Sequence, residues 1–221
     1  MPQPFPSKKV LSDLKASILN PAQTSHFQCW FNPPNPVKAW VEERADISLG
    51  NGYTGKEEFF SLSCSEASLP GSSLATHDIT NDYQGVTERM AYRRIYDDVL
   101  GLTFYVDRNY NTIKLFERWI DYISGITDPT VYKSPYTNQR VSYPSFYKSD
   151  IFLSKFEKDH FSNESTLPKV TFDYTFVKAF PRDITAIPLS YEQGQILKCN
   201  VSFSFIRYVV EDKTENLLTT F

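Results

Sequence analysis

The stretch Leu197–Phe205, LKCNVSFSF, sets Leu197, Cys199, Val201, Phe203 and Phe205 against Lys198, Asn200, Ser202 and Ser204. Successive side chains on a strand point to opposite sides of a sheet, so this period of two predicts a strand with one packed face and one wet face. Val170–Phe176 repeats the pattern, with Val170, Phe172, Tyr174 and Phe176 against Thr171, Asp173 and Thr175. Phe60, Leu62 and Cys64 alternate in Glu57–Cys64, as do Leu102, Phe104 and Val106 in Leu102–Asp107, and His26–Phe31 (HFQCWF) reads as a further strand. One-sided alternation belongs to antiparallel sheets, since parallel strands are buried on both faces. No two of these strands flank a lone crossover helix, so a doubly wound sheet is not expected.

Composition agrees with a β-rich fold. Aromatic residues make up 15% of the 221, with 17 Phe and 14 Tyr, and aromatics fit pleated, half-buried surfaces. A chain of this length accommodates one domain over 1–221 and can bury a core without staples. Residues 1–9 hold three Pro and two Lys and read as an arm. Val10, Leu11, Leu14 and Ile18 then recur at helical spacing, which predicts a short helix ending near Asn20–Pro21. Asn32–Gly55 opens on NPPNP and keeps no clean period, so it reads as a long inserted loop; Trp40 and Tyr53 suggest that it packs on something.

One helix is plain within the strands. Tyr110, Ile113, Phe116, Trp119, Ile120 and Ile123 form an apolar stripe over Asn109–Ser124, with Lys114, Glu117, Arg118 and Asp121 outside it. Asp107 or Asn109 can cap its start, and Gly125 suits the left-handed residue after its end. The reading is therefore mainly β (α+β): an antiparallel sandwich or barrel with one packed amphipathic helix at 109–124, a short N-terminal helix and a long loop.

Catalytic equipment is missing from the sequence. His26, His77 and His160 lie in no metal-binding spacing, and His26 and Cys29 would point to opposite faces of their strand. No glycine-rich phosphate loop or nucleophile elbow occurs. The carboxylate pairs Glu42–Glu43, Glu57–Glu58 and Asp97–Asp98 are sequence neighbours, which on a strand diverge rather than converge. No catalytic residue, metal or cofactor is expected. Cys29, Cys64 and Cys199 lie far apart beside strand-like runs and read as buried reduced thiols. The Asn163–Glu164–Ser165 sequon reads as chance, because MPQPFPSKKV carries no apolar signal region. No apolar run reaches the ~18–20 residues that span a bilayer, so no membrane partner is expected.

A net charge of −3 argues against tight nucleic-acid binding. Arg93–Arg94 beside Tyr92 and Tyr96 is the nearest approach to a nucleic-acid patch, but Asp97 and Asp98 follow it and point to inter-subunit ion pairing instead.

Ala67–Thr76 (ASLPGSSLAT), Ala91–Asp98 (AYRRIYDD), Leu102–Tyr110 (LTFYVDRNY), Ile113–Gly125 (IKLFERWIDYISG) and Val170–Val210 together resemble the tail-tube family of contractile-tailed bacteriophages. The resemblance rests on pattern and order across about Val10–Val210, with no single diagnostic motif. It implies a structural virion protein of the tail, assembled in the host cytoplasm. Homo-hexameric rings would join their strands into an inner β-barrel and stack. Tail sheath, baseplate and tape-measure proteins would be partners, and viral DNA would pass through without specific binding. The wet sets Lys198, Asn200, Ser202 and Ser204, with Thr171, Asp173 and Thr175 as their expected strand partner, are candidates for the lumen. Leu69, Pro70, Gly71, Arg93, Arg94, Asp97, Asp98, Trp40 and Tyr53 are candidates for inter-subunit contact. A baseplate tube-initiator of the same family is the alternative, followed by a carbohydrate- or receptor-binding β-domain.

Overall fold

The computed structural model describes residues 22–45, 63–80, 85, 87–97, 99–125, 140–157, 169–191 and 194–215. The expected N-terminal arm and helix, Tyr53, Asp98, His160, the sequon and all but the end of the Glu57–Cys64 strand lie outside them.

Nine strands are described: β1 (Phe27–Phe31), β2 (Cys64–Ala67), β3 (Ser72–Ile79), β4 (Glu88–Tyr96), β5 (Val99–Tyr105), β6 (Ser149–Phe156), β7 (Lys169–Ile184), β8 (Lys198–Ser204) and β9 (Arg207–Glu215). Every pairing among them is antiparallel. Seven form one sheet in the order β1-β6-β7-β8-β5-β2, with β9 also on β7, while β3 and β4 make a separate two-stranded hairpin. The fold is thus mainly antiparallel β, as the alternation implied.

β7 is the hinge of the sheet. Its first half pairs with β6 on one side and β9 on the other, whereas Phe180–Ile184 pairs with β8. Between the halves Lys178 sits at φ 54, and its N–H donates to Asp150 Oδ1 at 2.8 Å. A bulge with a left-handed residue bends a strand, so one strand serves two four-stranded blocks, β1-β6-β7-β9 and β7-β8-β5-β2. Phe205, buried where β8 turns into β9, packs on Phe176 at 5.0 Å and fills this corner.

The main helix, here α2 (Asn111–Ser124), follows α1 (Asn35–Ala45) and precedes the single turn α3 (Pro144–Tyr147). Asp107 Oδ1 accepts the Asn111 N–H at 2.7 Å, and Gly125 ends the helix at φ 77. Leu115, Phe116 and Trp119 are fully buried. Each such side chain contributes roughly 1.5–3 kcal/mol of apolar transfer. The Trp119 indole N–H donates to the Tyr147 carbonyl at 3.0 Å, so this burial leaves its polar atom paired. Phe31 from β1 touches Phe104 of β5, Phe116 and Trp119 of α2, and Phe203 of β8, which places one core between the two blocks and the helix.

Two expectations need correction. Asn32–Gly55 is not wholly loop: 35–45 are helical, and 46–55 lie outside the described residues. Pro34 and Pro36 read as breakers, yet the Pro34 carbonyl accepts the Lys38 N–H at 2.9 Å. They therefore occupy the first turn, where a missing N–H costs nothing. Val37 and Val41, one turn apart, are then fully buried, and Trp40 lies 6.2 Å from the Tyr122 ring of α2. Tyr110, just before α2, is exposed, and Thr112 and Leu115 on it are buried, so the packed face is rotated from the expected stripe.

Candidate assembly surfaces

The wet face of the β7-β8-β5-β2 block is built by alternation. On β8 Cys199, Val201 and Phe203 are buried, which turns Lys198, Asn200, Ser202 and Ser204 outward. Across the register, β5 sets Val99, Gly101, Thr103 and Tyr105 opposite Ser204, Ser202, Asn200 and Lys198. The edge strand β2 and the turn after it extend the surface: Ser65 Oγ donates to the Thr103 carbonyl and Ser68 Oγ to the Gly101 carbonyl, each at 3.2 Å. The result is a patch of Ser, Thr, Asn and Gly, with Val99 at one end and Tyr105 at the other. Its cation, Lys198, is paired with Glu66 at 2.8 Å and lies over the Tyr105 ring. The Glu66 carboxylate raises Lys198 above the usual lysine range, and the pair leaves the face near neutral.

Thr171, Asp173 and Thr175 do not continue this face. The expected pairing of their strand segment with β8 is overturned by the register, which sets them opposite Phe156, Ser154 and Phe152 on β6 and Lys213, Glu211 and Val209 on β9. The bulge at Lys178 is the cause, because β8 meets only the part of β7 beyond it. Thr175 lies in an outward row that begins with Trp30, which is 40% exposed and stacked on Phe152 at 5.7 Å. Ser154 Oγ donates to the Asp173 carboxylate.

The hairpin of β3 and β4 is the second surface. Apart from Ala75 and Tyr96 its described side chains are exposed on both faces, including Leu74 at 61% and Tyr92 at 68%. No alternation marks such a ribbon, which is why pattern reading passes over it. Leu69 and Gly71, at its base, and Arg93, along it, are exposed, and Pro70 is partly buried. Arg94 is already engaged within the chain. Its guanidinium donates to Tyr208 Oη at 3.0 Å and lies over the Tyr96 and Tyr208 rings at 4.9 and 5.2 Å. Tyr208 Oη in turn donates to the Gly71 carbonyl at 3.3 Å, so the cluster clamps the hairpin base to β9. Asp97 is exposed, with a carboxylate oxygen beside Gly71. Trp40 faces Tyr122 inside the subunit. A third exposed stretch, between β7 and β8, carries Leu189, Tyr191 and Ile196.

Among the described residues no three His, Cys, Asp or Glu side chains group as metal ligands, and no helix is long and apolar enough to cross a membrane.

A family profile described as phage tail tube protein matches residues 22–211. A search of curated proteins finds no match. Among solved structures, a chain of the anti-feeding prophage baseplate, reported as 6-fold symmetrised, is 15% identical with a TM-score of 0.50, covering 87% of this chain and 96% of that one. A chain of the anti-feeding prophage tube-terminating cap is also 15% identical at a TM-score of 0.50, covering 88% and 93%. A chain of the sheath–tube complex of an extracellular contractile injection system is 13% identical at 0.48, covering 92% and 99%.

Proposed function

Because the chain belongs to the phage tail tube protein family, we propose that it is the repeated, non-catalytic subunit of a contractile tail tube, six copies to a ring, whose stacked rings conduct the genome on ejection. The small-polar face of β8, β5 and β2 carries this reading. Tight DNA binding uses Lys and Arg to displace counterions from phosphate, and a face of Ser, Thr, Asn and Gly whose lysine is already paired offers no such grip. This proposal assigns the bore to Lys198, Asn200, Ser202 and Ser204. Thr171, Asp173 and Thr175, on the other block, belong to a different surface.

The hairpin is assigned to contacts between subunits, with Leu69, Pro70, Gly71, Arg93 and Asp97 at its base and along it. Apolar side chains on both sides of a two-stranded ribbon have little to gain from water and much from a neighbouring ring. Tail sheath, baseplate and tape-measure proteins are the remaining partners of such a tube, and the virion tail its place.

Negative-stain microscopy of the purified protein tests the reading. Rings about one subunit thick, or tubes built from them, are expected; a protein that stays monomeric at high concentration overturns it. The second reading is a component present in a single ring, a baseplate tube-initiator, since the same fold occurs in a baseplate chain and a cap chain. Copy number per particle separates the two.

A further inference from the structure

β1 and β2 are the two ends of the seven-stranded sheet, and among the described residues no strand pairing joins them. The two ends come into contact without pairing, which leaves a seam between two open edges. At that seam stand two thiols. Cys29 on β1 is 1% exposed, and Cys64, partly buried on β2, packs against the same core cluster. β1 and β2 approach one another at this point, and the Cys29 thiol lies beside Cys64, whose own thiol donates to the Glu66 carbonyl at 3.5 Å. We infer that Cys29 and Cys64 form an oxidisable latch, whose disulfide ties β1 to β2 and closes the seam.

The third cysteine sharpens the assignment. Cys64 lies opposite Phe104 and Phe104 opposite Cys199, so Cys64 and Cys199 are two strands apart on one face. Two strand spacings are roughly 9.5 Å, beyond the ~7 Å between Cα atoms that a disulfide spans. Cys199 is also held protonated by burial, its thiol pushed up to about 11.

The co-reactant is a small-molecule disulfide. The partly exposed Cys64 attacks as thiolate, breaks the small S–S bond and expels one small thiolate, which takes up the proton that Cys64 lost. Cys29 then attacks the Cys64 sulfur of the mixed disulfide, and the second small thiolate leaves and takes up the Cys29 proton. Two protein thiols lose two electrons, and one small disulfide becomes two small thiols. In the reduced pair Cys29 is held well above the ordinary thiol range, first by the neighbouring Cys64 thiol and then by burial; once Cys64 is in the mixed disulfide, burial alone slows the second step.

The test uses the intact folded chain incubated with oxidised glutathione, then alkylated and mapped by mass spectrometry. Of three thiols, two are expected to disappear into one cross-linked peptide pair containing Cys29 and Cys64. The melting midpoint should rise by roughly 5–10 °C and fall back on reduction, because the cross-link restrains the unfolded chain. Three thiols persisting, glutathione remaining on Cys64, or any bond through Cys199 or between chains each overturns the latch. Cys199→Ala should keep both the cross-link and the shift, whereas their loss in that variant also overturns it.

Discussion

Gly125 shows how far one residue constrains a helix end. It takes φ 77 at the end of α2, and a Cβ placed there would lie 1.8 Å from the Arg140 carbonyl oxygen. Both the left-handed backbone and the close approach exclude a side chain, so Gly125→Ala should cost well over the ~1 kcal/mol of the backbone effect alone. Urea unfolding monitored by circular dichroism would measure it. Lys178 solves a similar problem differently. It holds a left-handed φ without being glycine because Asp150 accepts its N–H, and Asp150→Ala is expected to destabilise by about 1–2 kcal/mol while loosening the corner between the two blocks.

At the scale of elements, the β3–β4 hairpin separates stability from assembly. Leu74 and Tyr92 are exposed on a ribbon that packs on little else, so Leu74→Asp and Tyr92→Ser should change unfolding free energy by no more than about 0.5 kcal/mol. If the hairpin bridges subunits, both should abolish rings under conditions where the unaltered chain forms them. Arg94→Ala should behave differently and destabilise the monomer by roughly 1–2 kcal/mol, since it loses a hydrogen bond to Tyr208 and two ring contacts. Equal loss of stability in all three variants would mean that the hairpin is a structural part of the subunit alone. The clamp also shows what sequence proximity leaves out: Asp97 and Asp98 are near in sequence, but within the chain the Arg94 guanidinium is held by Tyr96 of its own strand and Tyr208 of β9.

For the whole molecule, the consequence of a near-neutral wet face is functional and can be varied independently of the fold. Ser202→Lys and Asn200→Lys add charge to positions on the outward face of β8, Asn200 exposed and Ser202 partly so. They should leave thermal stability and ring formation within error, while making assembled tubes retain DNA in a salt-dependent way. A filter-binding assay at low and moderate salt would detect it. DNA retention unchanged in both variants would remove β8 from the bore.

The alternation in Leu197–Phe205 determined strand β8 and both of its faces, because burial on one side of a sheet leaves a period of two in any sequence that folds that way. The helix, read over Asn109–Ser124 with Asp107 or Asn109 at its start and Gly125 as its stop, was legible for the same local reason, and Asp107 is the one that accepts a helix N–H. Three matters were decided only in the tertiary structure. Which strand pairs with β8 depends on a bulge at Lys178, and no periodicity encodes a change of partner. The α1 helix hides behind prolines that are harmless only because they fall in its first turn. The Cys29–Cys64 seam joins residues far apart in the chain, since β1 and β2 come together as the two ends of a sheet and not through anything written beside either cysteine.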